Sequence, residues 1–147
     1  MINWIVDTNI ISEQNKRNPN KNVIDWLSKT PFDSVLTTEV TLAEIRYGIA
    51  IQSDPVKAAG LQIWLDQKVR QAFYGRVLFV DETVIVQWRL LSRKLQQQRK
   101  STPPTDLLIA AVAIENSCGI ATRDVEPFLA TGIPIYNPFT GEGFNGA

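Results

Sequence analysis

Ile5-Val6-Asp7-Thr8-Asn9-Ile10-Ile11 decides how this chain is read, because a short apolar run ends in a carboxylate and two small polar residues before apolar residues resume. In an open parallel α/β sheet, ligands bind in the crevice beyond the carboxyl ends of the strands, so Asp7 would face a site if the chain builds such a sheet. The simpler reading is that Asp7, Thr8 or Asn9 only caps the helix that Ile10 and Ile11 begin. On these residues alone, capping suffices.

Outward from that stretch, short apolar runs alternate with longer helical patterns. Asn15 to Asn20 is a polar loop, and Asn22 is placed to cap a helix whose Val23, Ile24 and Leu27 share one face, with Pro31 ending it. Val35-Leu36-Thr37 is a second strand. Thr38 to Thr41 then leads into a helix carrying Leu42, Ile45 and Ile49 at spacings of three and four. Pro55 opens the longest helix, striped by Leu61, Leu65, Val69 and Phe73 and stopped by Gly75. Val77 to Val80 is a third strand, and Val84, Trp88, Leu91 and Leu95 mark the next helix. Pro103-Pro104-Thr105 introduces a small-residue helix from Asp106 to Asn116, stopped by Gly119. Ile120-Ala121-Thr122 and, after the turn at Gly132, Ile133 to Tyr136 complete the strands.

Strands separated by helices rather than by tight turns imply βαβ units. The expected fold is therefore α/β, a three-layer sandwich with a central, mainly parallel sheet of four to five strands flanked by helices. Right-handed crossovers put the strand ends on one edge. At 147 residues and 44% apolar composition the chain suits one domain, residues 1–147, with a core over about 3–138 and a C-terminal tail over 139–147.

Composition excludes several chemistries. There is no histidine, which removes Ser-His-Asp and Cys-His mechanisms, histidine acid/base catalysis and histidine-ligated zinc. The single Cys118 provides neither an intramolecular disulfide nor a cysteine zinc site. Together with an N-terminus lacking a signal-like segment, this predicts a cytoplasmic protein. No apolar run approaches a membrane span of about 20 residues. Basic and acidic residues both number 15, so any nucleic-acid binding must come from a local patch. Lys16, Arg17, Arg89, Arg93, Lys94, Arg99 and Lys100 are the candidates, although a solvated helix face accounts for Arg89 to Lys94.

Four carboxylates can reach the same sheet edge. Asp7 follows the first strand and Asp124 the fourth, while Glu44 and Asp106 occupy first turns of helices. Singly each has a plain explanation: Glu44 stands at capping-box spacing from Thr41, Asp106 favours a helix dipole, and Asp124 suits a turn. Jointly they would repel one another and take up protons unless a cation neutralised them. An all-oxygen donor set selects a hard ion, Mg²⁺ or Mn²⁺, which suits phosphoryl chemistry by activated water. Thr8, Asn9 and Thr122 are placed to orient the water or the carboxylates.

The stretches Ile5 to Ser12, Thr41 to Gly48, Asp106 to Ala111, and Ala121-Thr122-Arg123-Asp124 with Ile135-Tyr136-Asn137-Pro138 resemble the PIN-domain ribonucleases, and among them the VapC-like toxins of bacterial toxin-antitoxin pairs. The resemblance covers nearly the whole chain. It implies a metal-dependent endoribonuclease in which Asp7, Glu44, Asp106 and Asp124 form the acidic quartet that holds Mg²⁺ or Mn²⁺, with Thr122 on the family's frequent Ser/Thr. The family's last acid is often Asn, which implies a tuning role for Asp124 as much as an anchoring one. Glu126 receives no role, because Pro127 stands where the family commonly has an acid before Phe128. The resemblance further implies an RNA substrate, a small VapB-like antitoxin as partner and a homodimer. Apolar residues off the core stripe between Ile45 and Phe73, among them Ile49, Ile51, Ile63 and Trp64, are candidates for partner contact, or for packing under a loop in the case of Trp64.

Three other readings fit less well. A receiver-type phosphoacceptor domain expects paired acids near the first strand and a late lysine, whereas no Lys follows Lys100. A haloacid-dehalogenase-type phosphatase expects an acid where Asn9 stands. A non-catalytic PIN module, acting as an RNA-binding or interaction scaffold, is opposed by acids at all four positions.

Overall fold

In the computed structural model, which describes residues 1–147, β1 (Asn3–Val6) lies inside a six-stranded sheet of order β3-β2-β1-β4-β5-β6. The other strands are β2 (Val35–Thr38), β3 (Val77–Leu78), β4 (Cys118–Ala121), β5 (Ile135–Asn137) and β6 (Glu142–Phe144). All neighbours pair in parallel except β5 and β6. The chain winds outward from β1 to β2 and β3, then returns to the other side of β1 to add β4, β5 and β6. The order therefore reverses between β1 and β4, which is where open α/β sheets form their ligand crevice.

Helices cover both faces. On one side Ile5, Ile120 and Ile135 meet α6 (Glu82–Gln97) and α7 (Pro104–Glu115), giving a core with Leu91, Leu95, Ala110 and Phe128. On the other, Val6, Val35 and Ala121 meet α1 (Thr8–Gln14), α2 (Lys21–Lys29) and the helical run after Pro55, giving a core with Ile10, Val23, Leu65 and Phe73. Adjacent strand residues such as Ile5 and Val6 thus enter different cores, as the two-residue period of a strand requires. Between the layers, α3 (Glu39–Ala50) sends Val40 to the first core and Leu42 and Ile45 to the second.

Several boundaries differ from the expectation. The cap of α2 is Asn20, whose Oδ1 accepts from the N–H groups of Asn22 and Val23; Asn22 instead donates its side-chain amide to the Phe139 carbonyl. The helix after Pro55 is α4 (Pro55–Trp64), a π turn at Leu65–Val69 and the short α5 (Arg70–Ala72). Within that run Leu65, Val69 and Phe73 are buried, while Leu61 lies outside the core. Third, β3 stops at Leu78, where its pairing with β2 ends, and Phe79 is exposed. Fourth, α7 ends through Ser117 in the left-handed region, φ 53°, and Gly119 belongs to β4. A Cβ on Gly119 would lie 2.5 Å from Cζ3 of Trp4 on the paired strand, so glycine serves close approach there rather than helix termination. Fifth, the expected tail contains β6, which pairs Phe144 with Ile135 and Glu142 with Asn137.

Candidate active site at the carboxyl edge of the sheet

The switch between β1 and β4 brings Asp7 and Thr122 side by side. Val6 pairs with Ala121, the Asp7 N–H donates to the Ala121 carbonyl at 3.0 Å, and both strands end there. Asp7 is also the N-cap of α1, its Oδ1 accepting from the Thr8 N–H at 2.8 Å. Its other oxygen, Oδ2, accepts from the Thr122 hydroxyl at 2.9 Å. Capping occupies one carboxylate oxygen and the second strand addresses the other.

Thr122, wholly buried, ties the edge together. Its Oγ1 donates to Asp7 and accepts from the Asn9 side-chain amide at 3.0 Å and from the Asp124 N–H at 3.0 Å. Asn9 closes the circuit, its Oδ1 accepting from the Arg123 N–H at 3.1 Å. One hydroxyl therefore fixes the Asp7 carboxylate and the turn that presents Asp124. Thr8 enters this network through its backbone; its side chain makes no hydrogen bond there.

Glu44 and Asp106 arrive on helices. The capping-box reading of Glu44 fails, because the N-cap of α3 is Thr38, whose Oγ1 accepts from the Thr41 N–H at 3.0 Å. Thr41 lies inside the helix, hydroxyl to hydroxyl with Thr38 at 3.0 Å. Glu44 is thus an exposed carboxylate with no capping duty. Asp106 sits in the first turn of α7, where Pro103 and Pro104 supply the entry and no side chain caps. Ala110, Ala111 and Ala113 are fully buried, so this small-residue helix lies close against the sheet and brings Asp106 toward its edge.

The carboxylates share one electrostatic field. Burial, then the charges of Asp7, Asp124 and Glu44, push the Asp106 carboxyl up to about 6. Burial also raises Asp7; the Thr8 N–H and the Thr122 hydroxyl pull it back, and the Asp124 charge pushes it further up. No lysine or arginine is among the groups acting on either. The four acids are therefore gathered without a protein cation to balance them. They do not close into a cage: no three lie close enough together to hold an ion by themselves. The donor set is nonetheless all oxygen and of one charge, which fits a hard dication that keeps much of its water shell.

Other candidates fall outside this edge. Lys16 pairs with Glu13 at 3.0 Å, Arg89, Arg93 and Lys94 point to solvent along α6, and Lys100 lines a shallow pocket with Glu126. Trp64 and Ile49 pack against the second core, whereas Ile51 and Ile63 are exposed. A cavity of about 590 Å³ contains none of the four acids; Phe32, Phe73 and Arg76 line it. There Arg76 serves as a latch, donating to the carbonyls of Phe32, Val35 and Ala72. Sequence reasoning missed Thr38, which positions the helix of Glu44, because Thr37, Thr38 and Thr41 offer equivalent caps. It also passed over Arg123, whose guanidinium lies over the Phe139 ring, 4.9 Å from its centroid.

Comparison with known proteins gives a consistent likeness. The chain matches the family described as PIN domain over residues 4–132. It is 33% identical over 135 residues to Toxin FitB of Neisseria gonorrhoeae, covering 92% of this chain and 97% of that protein. It is 32% identical over 135 residues to VapC ribonuclease Y4jK of Sinorhizobium fredii, covering 92% and 96%. Among solved structures, that of FitAcB from Neisseria gonorrhoeae superposes with a TM-score of 0.83 at 32% identity, covering 92% of this chain and 98% of that one.

Proposed function

This chain belongs to the PIN domain family, and from that premise we propose that it is a metal-dependent endoribonuclease acting as the toxin of a toxin-antitoxin pair. The observation that carries the reading is the shared field of the acids: Asp106 is raised to about 6 by burial and by Asp7, Asp124 and Glu44. Helix caps such as Asp54 and Asp81 need no cation, but these four act on one another's charge with no cation at pairing distance. The names of the similar proteins, a toxin and a ribonuclease, support the choice of RNA hydrolysis among the reactions such a site suits.

In this reading Asp7, Glu44 and Asp106 would hold hydrated Mg²⁺ or Mn²⁺, in part through its water shell, with Asp124 completing or tuning the set. When bound, the cation activates water and neutralises charge on the phosphodiester. Thr122 orients Asp7 by donating to Oδ2 and, with Asn9, fixes the turn that carries Asp124. Thr8 anchors the remaining Asp7 oxygen through its N–H. The buried Thr38 hydroxyl aims α3, and so Glu44, at the same edge. The partner is a small VapB-like antitoxin that covers the acidic edge, the protein works in the cytoplasm, and the exposed apolar side chains of Tyr47, Ile51 and Ile63 suit contact with that partner or with a second copy of the chain.

The test is cleavage of defined RNAs by purified protein with Mg²⁺ or Mn²⁺. Activity should disappear with EDTA and in Asp7→Asn and Asp106→Asn, and cleavage persisting in both variants would sink the assignment. Expression without an antitoxin should arrest growth, and Asp7→Asn should relieve the arrest.

A further inference from the structure

A crevice holding four carboxylates repels the backbone of a nucleic acid, and the chain as a whole carries no net positive charge to offset this. A metal among the acids engages the scissile phosphate; gripping the rest of the strand calls for a protein cation beside them. Arg123 occupies such a place. It directly precedes Asp124, about 3.8 Å away from Cα to Cα as in any trans peptide, yet it is not among the groups acting on Asp7 or Asp106. Its guanidinium lies over the Phe139 ring, 4.9 Å from the centroid, and within the field of Glu13.

Both halves of this pair are held in position. The Arg123 N–H is fixed by Asn9 Oδ1 at 3.1 Å. The Phe139 N–H donates to Oδ1 of the buried Asn137 at 2.9 Å, and its carbonyl accepts from the Asn22 amide at 2.9 Å. The guanidinium lends part of its charge to Glu13 from a distance but makes no ion pair. The ion pairs of the chain are Lys16 with Glu13 and Arg70 with Asp66, so Arg123 is exposed and free of any carboxylate at pairing distance. A guanidinium over an aromatic ring offers charge for a phosphate and planar groups for a base, the two features by which single-stranded RNA is gripped.

We propose that Arg123, laid on Phe139 at the rim of the acidic crevice, binds the nucleotide next to the scissile phosphodiester, taking its phosphate with the guanidinium and its base on the stacked pair. The assignment rests on the ribonuclease reading above and names the part of that site that grips the strand. Because Arg123 contributes to the acid network only through its backbone, removing its side chain leaves Asp7, Thr122 and Asp124 tied as before.

The experiment measures fluorescence anisotropy of a labelled single-stranded RNA oligonucleotide of mixed sequence on the full chain in EDTA, across a series of salt concentrations, with cleavage in Mg²⁺ assayed in parallel. Arg123→Ala should weaken binding about tenfold and flatten the dependence of log affinity on log salt by about 0.7, the loss of one phosphate contact. Arg123→Lys should restore the salt dependence but not the full affinity, and Phe139→Leu should weaken binding about threefold with the salt dependence unchanged, as expected for lost stacking. An Arg123→Ala protein that binds and cleaves RNA as the parent does overturns the assignment, leaves the ribonuclease reading standing and gives the guanidinium to a protein partner. A parent that neither binds nor cleaves RNA overturns both.

Discussion

Thr122 concentrates three hydrogen bonds on one oxygen, and no other side chain at the edge touches both Asp7 and the backbone of Asp124. Thr122→Val keeps the shape and removes the hydroxyl, leaving the Asn9 amide and the Asp124 N–H without an acceptor; it should cost about 2 kcal/mol of stability and about 10- to 100-fold in cleavage rate, whereas Thr122→Ser should recover most of both. Denaturant titration and the RNA assay read the two effects separately. Asp106 gives the pH dependence. Its carboxyl is raised to about 6, first by burial and then by Asp7, Asp124 and Glu44, so the folded protein holds that proton longer than the unfolded chain does. Its contribution is harmless below the ordinary carboxylate value and becomes unfavourable as pH rises through about 6. The full displacement would amount to about 3 kcal/mol, but the group is half-exposed, and solvent screening leaves about 1 kcal/mol. In EDTA, Asp106→Asn should therefore be more stable than the parent by about 1 kcal/mol near pH 8 and indistinguishable from it near pH 4. Added Mg²⁺ should raise the thermal midpoint of the parent and leave that of Asp106→Asn nearly unchanged.

At the scale of elements, α3 and α7 reach the site by different means. The small buried residues of α7 let it lie close to the sheet, and that face was visible in the run Ala110-Ala111-Val112-Ala113. The start of α3 was not visible, because Thr37, Thr38 and Thr41 are chemically equivalent and only the turn of the chain out of β2 selects Thr38. Thr38→Ala should destabilise the fold by about 1–2 kcal/mol, the value of a lost buried cap, and should lower cleavage further than the equally destabilising loss of the exposed Asp54 cap on α4. Chemical denaturation together with the rate under fully folded conditions distinguishes misplacement of Glu44 from simple unfolding. Gly119 illustrates the same limit. A glycine after a helix reads as its stop, and only the pairing of β1 with β4 reveals the Trp4 ring that leaves no room for a Cβ.

For the molecule as a whole, alternation of strands and helices made the parallel sheet and its acidic edge legible, since Asp7 and Asp124 each follow an apolar run. The far edge was not legible. Glu142-Gly143-Phe144 is too short and too glycine-rich to show a strand period, and its pairing depends on a turn after Asn137, where the N–H of Gly141 returns to the Asn137 carbonyl at 2.8 Å. Yet β6 covers the open side of β5, Phe144 packs against the first core, and Asn145 donates to the carbonyls of Leu129 and Ile133. A chain ending at Gly141 keeps Phe139 and the four acids of the site while losing these contacts. It should lose about 2 kcal/mol of stability, which lowers the thermal midpoint by about 4–8 °C, and its bared β5 edge should promote association at high concentration. RNA cleavage at temperatures where the shortened chain remains folded should match the parent, because nothing in β6 touches Asp7, Glu44, Asp106 or Asp124. An unchanged midpoint would return residues 142–147 to the status of a dispensable tail, while a loss of cleavage in the folded state would mean that the far edge of the sheet reaches the site through β4 and β5.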